Sequence, residues 1–311
     1  MKRGSSFKPR VAVLMATHNG ADYVGAQLQS FASQSLKPHC IVVSDDNSDD
    51  ATLEIVKRFA NRHPDLSVRL KQGPGQGSSA NFLSLLDHTP DETDMIAFSD
   101  QDDVWLPHKL ERAATLLERA GTAPGLYCGR THHASGDLSV TSQSRSVPNR
   151  TDFRNALVQN VAAGNTIVLN GQAMALAQAA GSPKVVVHDW WLYLLITGAG
   201  GQIVYDNDLL MYYRQHGQNV IGANEGIRSQ AQRLRMMING TLKDWNAVNV
   251  AALEHAIHLL TDENADLLRA FSDLRQATPS ARLTQLKRLG LYRQGRLGQA
   301  SLWLAALLGK L

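Results

Sequence analysis

Cysteine is almost missing from this chain of 311 residues. Cys40 and Cys128 stand far apart and lack the spacing of a thiolate metal site, so they read as reduced core thiols and exclude a disulfide framework. Long apolar runs are missing too, and no stretch reaches the roughly 18 residues that a membrane span needs. The basic start, Met1 to Arg10, leads into an apolar run, Val11 to Met15, that is too short for the core of a secretory signal. The expectation is a soluble, cytoplasmic protein. Two phosphate-binding signatures are absent: Gly73, Gly75 and Gly77 are not followed by Gly-Lys-Ser/Thr, and no Gly-x-Gly-x-x-Gly follows the first apolar run. That removes a P-loop and a dinucleotide fingerprint. Acidic residues stop at Asp273, whereas Arg282, Lys287, Arg288, Arg293, Arg296 and Lys310 come after it. What the chain does have is apolar material, 43% of its residues, which excludes disorder throughout and suffices for one large domain or for a domain with a helical appendage.

Short β-branched apolar runs alternate with longer helical patterns through the N-terminal third, which predicts βαβ units on a mostly parallel sheet. Strands are expected at Val11 to Ala16, Ile41 to Ser44, Leu66 to Leu70 and Met95 to Ser99. Helices are expected at Asp22 to Ser33, Ala51 to Arg62 and about Ser79 to Asp87, with the Gly73 to Gly77 cluster as a turn before the last. Pro107, at a first-turn position, opens a helix to Ala120, and Leu126 to Gly129 reads as a further strand. His132 to Arg150 is polar and turn-rich and reads as a mobile loop. Asn165 to Leu169 reads as strand, Gly171 to Ala180 and His188 to Ile196 as helices, and Gln202 to Tyr205 and Leu210 to Arg214 as the last strands. Beyond about Ile227 the pattern is helical only. The expected division is an α/β domain over 1–225 and a helical C-terminal region over 226–311, parted near Glu225.

Chemistry concentrates in two acidic segments. In Ser99-Asp100-Gln101-Asp102-Asp103-Val104-Trp105, an apolar strand runs straight into three carboxylates, whose mutual repulsion calls for a cation. Hard oxygen ligands at that spacing suit Mg²⁺ or Mn²⁺, which bridge diphosphate oxygens. A solvated acidic turn is the alternative, but the end of a central strand is where ligands bind in open α/β sheets. Trp105 is expected to pack beneath this loop. The second segment, Val43-Ser44-Asp45-Asp46-Asn47-Ser48-Asp49-Asp50, also lies between a strand and a helix. Helix capping accounts for Ser48, Asp49 and Asp50. It leaves Asp45 and Asp46, and a carboxylate here can accept the imide N–H of uracil or thymine. Asp189, flanked by Trp190 and Trp191 and preceded by Val185 to Val187, should be partly desolvated and so a stronger base, unless it merely caps the following helix. Arg214 and His216 follow a strand and offer a diphosphate clamp and a nitrogen ligand to a metal.

These segments resemble the family 2 glycosyltransferases, whose catalytic domain has the GT-A fold. The resemblance is carried by Ala16-Thr17-His18-Asn19, the Asp45-Asp46 segment, Gly77 to Asn81, the Asp100 to Trp105 segment, His188-Asp189-Trp190-Trp191 and Tyr213-Arg214-Gln215-His216-Gly217-Gln218-Asn219. It spans roughly Pro9 to Ile221. It implies a GT-A domain with helices flanking a mostly parallel central sheet, followed by a helical C-terminal region. Thr17 and Asp46 match positions that hold the nucleobase, and Asn19, Asn81 and Trp190 fall on matched substrate-binding segments. Asp100 and Asp102 match the Asp-x-Asp pair, with Asp100 near the ribose and Asp102 on Mg²⁺ or Mn²⁺. Asp103 is then a neighbour or a further ligand of the ion, and His216 joins the same set. Asp189 matches the catalytic base of an inverting transfer. The Asp100 and Arg214 segments are further similar to those of bacterial rhamnosyltransferases of surface-polysaccharide synthesis, which implies dTDP-L-rhamnose as donor and a glycan or lipid-linked acceptor.

Two rivals have distinct signatures. A sugar-1-phosphate nucleotidyltransferase should carry a Gly-rich loop with a basic residue after the first strand, where this chain has Thr17-His18-Asn19-Gly20. A catalytically silent binding module on the same fold need not keep Asp46, Asp102 and Asp189 together. The basic tail, with Leu297, Leu302, Trp303, Leu304, Leu307 and Leu308, leaves two readings open: a surface for anionic lipid at the inner face of the membrane, or a helical subdomain packed on the core or on a second subunit.

Overall fold

The computed structural model describes residues 8–147, 150–216 and 239–311, and elements are numbered in chain order over these. The boundary expected near Glu225, and Gly217 to Asn219 of the last motif, lie outside the described residues. The strands are β1 (Val11–Thr17), β2 (Cys40–Asp45), β3 (Ser67–Gln72), β4 (Met95–Ser99), β5 (Val104–Trp105), β6 (Gly125–Ala134), β7 (Val140–Gln143), β8 (Val168–Asn170) and β9 (Gln202–Arg214). The helices before β9 are α1 (Val24–Ala32), α2 (Thr52–Arg62), α3 (Ser78–Ser84), α4 (Lys109–Leu117), α5 (Phe153–Ala156), α6 (Gly171–Ala180) and α7 (His188–Gly198). Those after it are α8 (Thr241–His255), α9 (Asp262–Gln276), α10 (Pro279–Leu289) and α11 (Arg296–Leu308).

One nine-stranded sheet runs β3-β2-β1-β4-β8-β6-β9-β5, with β7 on β6. The four strands read from the N-terminal third are parallel to one another. Beyond β4 the sheet is mixed: β8 is antiparallel to both β4 and β6, while β6 and β9 are parallel. All seven residues of β1 are buried because both faces of the sheet are covered, which is why it reads as an unbroken apolar run. Ala12, Leu14 and Ala16 face one core with α3, α6 and α7; Val11, Val13 and Met15 face the other with α1, α2 and α4. The C-terminal helices enter the first of these cores through Leu253, Leu268, Phe271, Leu302 and Ala305.

Two expectations are corrected. The segment read as a mobile loop holds the end of β6 and all of β7, an antiparallel hairpin pairing His132 with Gln143 and His133 with Ser142. Its turn is tied by Asp137, whose Oδ1 accepts from Ser135 Oγ at 2.5 Å and Ser139 N at 3.1 Å. These hydrogen bonds hold the Asp137 carboxyl down at about 2. The strands look polar because β7 lies on the rim and is largely exposed. The two last strands expected are one strand, β9, whose register against β6 shifts between Gly129 and Arg130. Buried Asp206 sits at that irregularity, accepting from Arg112 Nε at 3.0 Å and Tyr127 Oη at 3.2 Å. The two-residue β5, invisible to periodicity, pairs with Tyr212 and Met211 of β9 and lays the acidic segment beside the end of that strand.

Candidate active site

The carboxyl ends of β1, β2 and β4 open into a cavity of about 1150 Å³, whose wall includes Thr17, Asp46, Asp100, Asp102, His188 and Asp189. Ligands of open α/β sheets bind at this end. Asn19, Asn81 and His216 also line it.

On the β1–β2 side, carboxylates build the walls. Buried Asp45 accepts from Thr17 Oγ1 at 2.8 Å and from Ser48 N and Oγ at 2.9 and 2.6 Å, which ties the two strand ends together. Asp46 Oδ1 accepts from Gly75 N at 2.5 Å and Oδ2 from Gly77 N at 3.0 Å. Both glycines have positive φ, +68° and +88°, the backbone that turns their N–H groups toward one carboxylate. The carboxylate expected to hold a nucleobase thus also fastens the glycine loop that lines the same wall. Asn19, at φ 48°, spends its side-chain oxygen on Asp49 N at 2.9 Å. Asn81 is fully buried; Nδ2 donates to Ser44 O at 3.0 Å, while Oδ1 has no hydrogen-bond partner.

Gln101, between the acidic residues, makes a two-way clamp: Oε1 accepts from His18 N at 2.9 Å and Nε2 donates to His18 O at 2.8 Å. Gly20 permits this, since a Cβ there would stand 2.2 Å from Gln101 Oε1. The clamp locks the acidic loop to the end of β1. One oxygen from each of Asp100, Asp102 and Asp103 lies within 4.8 Å of the others. Burial, then the charges of Asp102 and Asp189, push Asp100 up to about 8. Asp103 is raised well above the carboxylate range by burial and by Asp102 and Asp100. Asp103 is fully buried, with Oδ2 accepting from Asn165 Nδ2 at 2.7 Å and Oδ1 from Arg214 N at 3.2 Å. Behind it Lys109 Nζ sits 3.7 Å from the Trp105 ring centroid, lowered to about 7 by desolvation. Trp105 packs beneath the loop, as expected. The half-buried Asp102 meets His216, Nε2 to Oδ2 at 2.8 Å, and Tyr23 stacks on the His216 ring at 4.7 Å. The donor set fits a hard divalent cation: close carboxylates, half-desolvated, with an imidazole at one edge.

Asp189 stands one residue inside the start of α7, whose cap position is Val187, so it is not the helix cap. Its Oδ2 accepts from Gly164 N at 3.1 Å and Oδ1 from Trp190 N at 2.6 Å. Desolvation nonetheless raises it to about 6. His188 beside it is buried, stacked on Phe82 at 4.1 Å, and lowered to about 3 by desolvation. It is therefore neutral.

Two expected substrate contacts lie elsewhere. Trp190 is 4% exposed, its Nε1 donates to Ala156 O at 2.8 Å, and its ring meets Trp245 edge-on: it belongs to the core, where an indole finds a carbonyl partner. Arg214 is also 4% exposed. Its Nε donates to Asp102 O at 2.8 Å, another nitrogen donates to Gly136 O, and the guanidinium lies over the Tyr23 ring. It braces the acidic loop from behind and is not part of the cavity wall. In exchange the cavity takes Thr131, His133 and Ser144 from the hairpin segment, together with Tyr213. Tyr213 lies in the last motif without being singled out there, whereas no local motif marks the other three, because a hairpin not read as strands has no assigned face.

The profile described as glycosyl transferase family 2 matches residues 12–178. This chain belongs to that family. Among curated relatives, the dTDP-rhamnosyl transferase RfbG of Shigella flexneri is 26% identical over 78% of this chain and 84% of its own. The UDP-Glc:alpha-D-GlcNAc-diphosphoundecaprenol beta-1,3-glucosyltransferase WfaP of Escherichia coli is 23% identical over 68% of this chain and 79% of its own. Among solved structures, the mannosyltransferase PcManGT of Pyrobaculum calidifontis, in complex with GDP-Man and Mn²⁺, superposes with a TM-score of 0.55 at 19% identity, covering 98% of this chain and 88% of that one. The fold of this family 2 member is GT-A, its sheet continued by antiparallel strands and its core closed by the C-terminal helices.

Proposed function

We propose that this family 2 chain is an inverting hexosyltransferase that moves a sugar from a nucleoside diphosphate to an acceptor hydroxyl of a surface glycan under assembly. The carrying observation is that Asp189 and the Asp100–Asp102 pair face one cavity, closely enough that the charge of Asp189 raises the pKa of Asp100. A base and a diphosphate site facing one cavity are what an in-line displacement needs.

Asp189, held by Gly164 N and Trp190 N, takes the proton from the acceptor hydroxyl as its oxygen attacks C1. The new C1–O bond forms opposite the old one, whose electron pair leaves with the diphosphate, and the anomeric centre inverts. Asp102, with Asp100 and His216 beside it, would hold Mg²⁺ or Mn²⁺, which neutralises charge on the leaving group when bound. Asp103, its oxygens engaged by Asn165 and Arg214, fixes the loop from behind. Thr17, Asp46 and Asn81 line the nucleotide end. Similarity to RfbG supports dTDP-L-rhamnose as the donor, and similarity to WfaP supports a lipid-linked acceptor.

The test is a panel of nucleotide sugars, with Mg²⁺ or Mn²⁺, assayed for donor turnover and thermal stabilisation, on wild type and Asp189→Asn. Metal-dependent turnover of one donor is expected. The variant should keep donor binding and lose about a hundredfold or more in turnover. Near-normal transfer by the variant would discard the base assignment, and stabilisation by no nucleotide sugar would discard the reading.

A further inference from the structure

The last helix, α11, has two apolar faces. Leu302, Ala305 and Ala306 are fully buried in the core shared with α7. On the other side Leu297 is 74% exposed, Leu304 40%, Leu307 45% and Leu308 50%. Spaced three, four and seven apart, with exposed Ala300 between, they form one stripe along the helix. Apart from Val140, they are all the exposed large hydrophobic residues among the described residues. Such a concentration marks a binding surface. Arg296 on the same helix and Lys287 and Arg288 at the end of α10, which packs on α11, are exposed, and acidic residues are missing after Asp273.

We infer that this face of α11 docks on an anionic lipid surface, its leucines entering the headgroup boundary and its flanking cations meeting lipid phosphates. Charge decides between lipid and a second copy. A twofold contact through this face would offer those cations no acidic partner from α10 or α11, since acidic residues are missing after Asp273, whereas anionic headgroups complement apolar stripe and basic rim together. The same region is also tied to the site, whose role rests on the transferase reading above. The turn between α10 and α11 is fastened to the segment leading to the base: Asn155 Nδ2 donates to Tyr292 O at 2.9 Å and Gln294 N donates to Gln159 Oε1 at 2.7 Å. The next residue, Asn160, hydrogen-bonds Asp189. The turn that leads into α11 is thus linked by hydrogen bonds to the proposed base.

The experiment is co-sedimentation of the full chain with phosphatidylglycerol vesicles and, separately, phosphatidylcholine vesicles, at low and high salt, for wild type, Leu304→Asp/Leu308→Asp and Lys287→Glu/Arg288→Glu. Wild type is expected to bind phosphatidylglycerol in a salt-sensitive way and phosphatidylcholine weakly, and each double variant to bind roughly tenfold or more weakly. Unchanged circular dichroism and donor turnover without acceptor in the variants would separate this surface from the catalytic reading. Equal binding by wild type and the leucine variant, or no vesicle binding by wild type, would overturn the inference. So would a wild-type dimer that the leucine variant dissolves while neither sediments with lipid.

Discussion

At the scale of single residues, Asp189 is the proposed base, whereas Asp46 is a fastener. Asp189 is pushed to about 6 by desolvation, so it is charged and able to accept a proton only above that value. Turnover at saturating donor should therefore fall tenfold per unit as pH drops below about 6, and a pH–rate profile measures this. A flat profile through that range would mean that another group accepts the proton. Asp46 holds Gly75 and Gly77 by two charge-assisted hydrogen bonds. Removing it in Asp46→Ala should free the glycine loop and raise the donor KM by roughly tenfold, with a smaller effect on kcat. Steady-state kinetics with varied donor would show the split. His188 is a contrasting case. Its neutral ring is stacked on Phe82 and its Nε2 has no hydrogen-bond partner, so it offers shape and a polar atom to the cavity wall but no charge.

At the scale of elements, α7 joins chemistry to core. Its first turn carries His188 and Asp189 on the cavity, and every residue from Trp190 to Gly198 is buried. That is why Trp190, expected from the resemblance to bind substrate beside the base, belongs with Trp191 to the interior. Trp190→Phe keeps an aromatic ring, though a smaller one, and leaves the buried Ala156 carbonyl without its donor. It should lower unfolding free energy by about 1–3 kcal/mol while donor KM stays near wild type. Denaturant titration and kinetics together check this, and a large KM effect would return Trp190 to the cavity. The strand β5 does similar positioning work with two residues. By pairing Val104 and Trp105 with β9 it brings Asp102 to His216 and puts Arg214 behind the loop.

At the scale of the whole molecule, the acidic centre sets how stability depends on pH. Asp100 is raised to about 8 and Asp103 is raised as well, so both bind protons more tightly folded than unfolded. Their contribution to stability is complete below the ordinary value of 3.8 and is lost as pH climbs through about 8. His188 acts in the other direction: lowered to about 3, its contribution is present above 6.5 and lost as pH falls toward 3. Without a divalent ion the melting temperature should therefore fall between about pH 6 and about pH 8.5. Added Mg²⁺ should raise it more at the upper end, because the ion takes the place of the protons. Calorimetry at the two pH values decides; equal shifts at both would argue against an ion on these carboxylates. The parallel half of the sheet, the helices around it and the acidic strand ends were legible in the sequence, because period-two and period-3.6 patterns and like charges in succession are local properties. Met95 to Ser99 and Gly171 to Ala180 appear with the bounds read from the sequence. What only the tertiary structure decided is where the long side chains go. Arg214 and Trp190 stand in motifs beside cavity residues and are themselves outside the cavity wall, while the hairpin segment supplies wall residues that no motif marks and Tyr213 one that its motif did not single out. The direction of a side chain depends on which strand pairs with β9 and which helix covers α7, and those partners are distant in the chain.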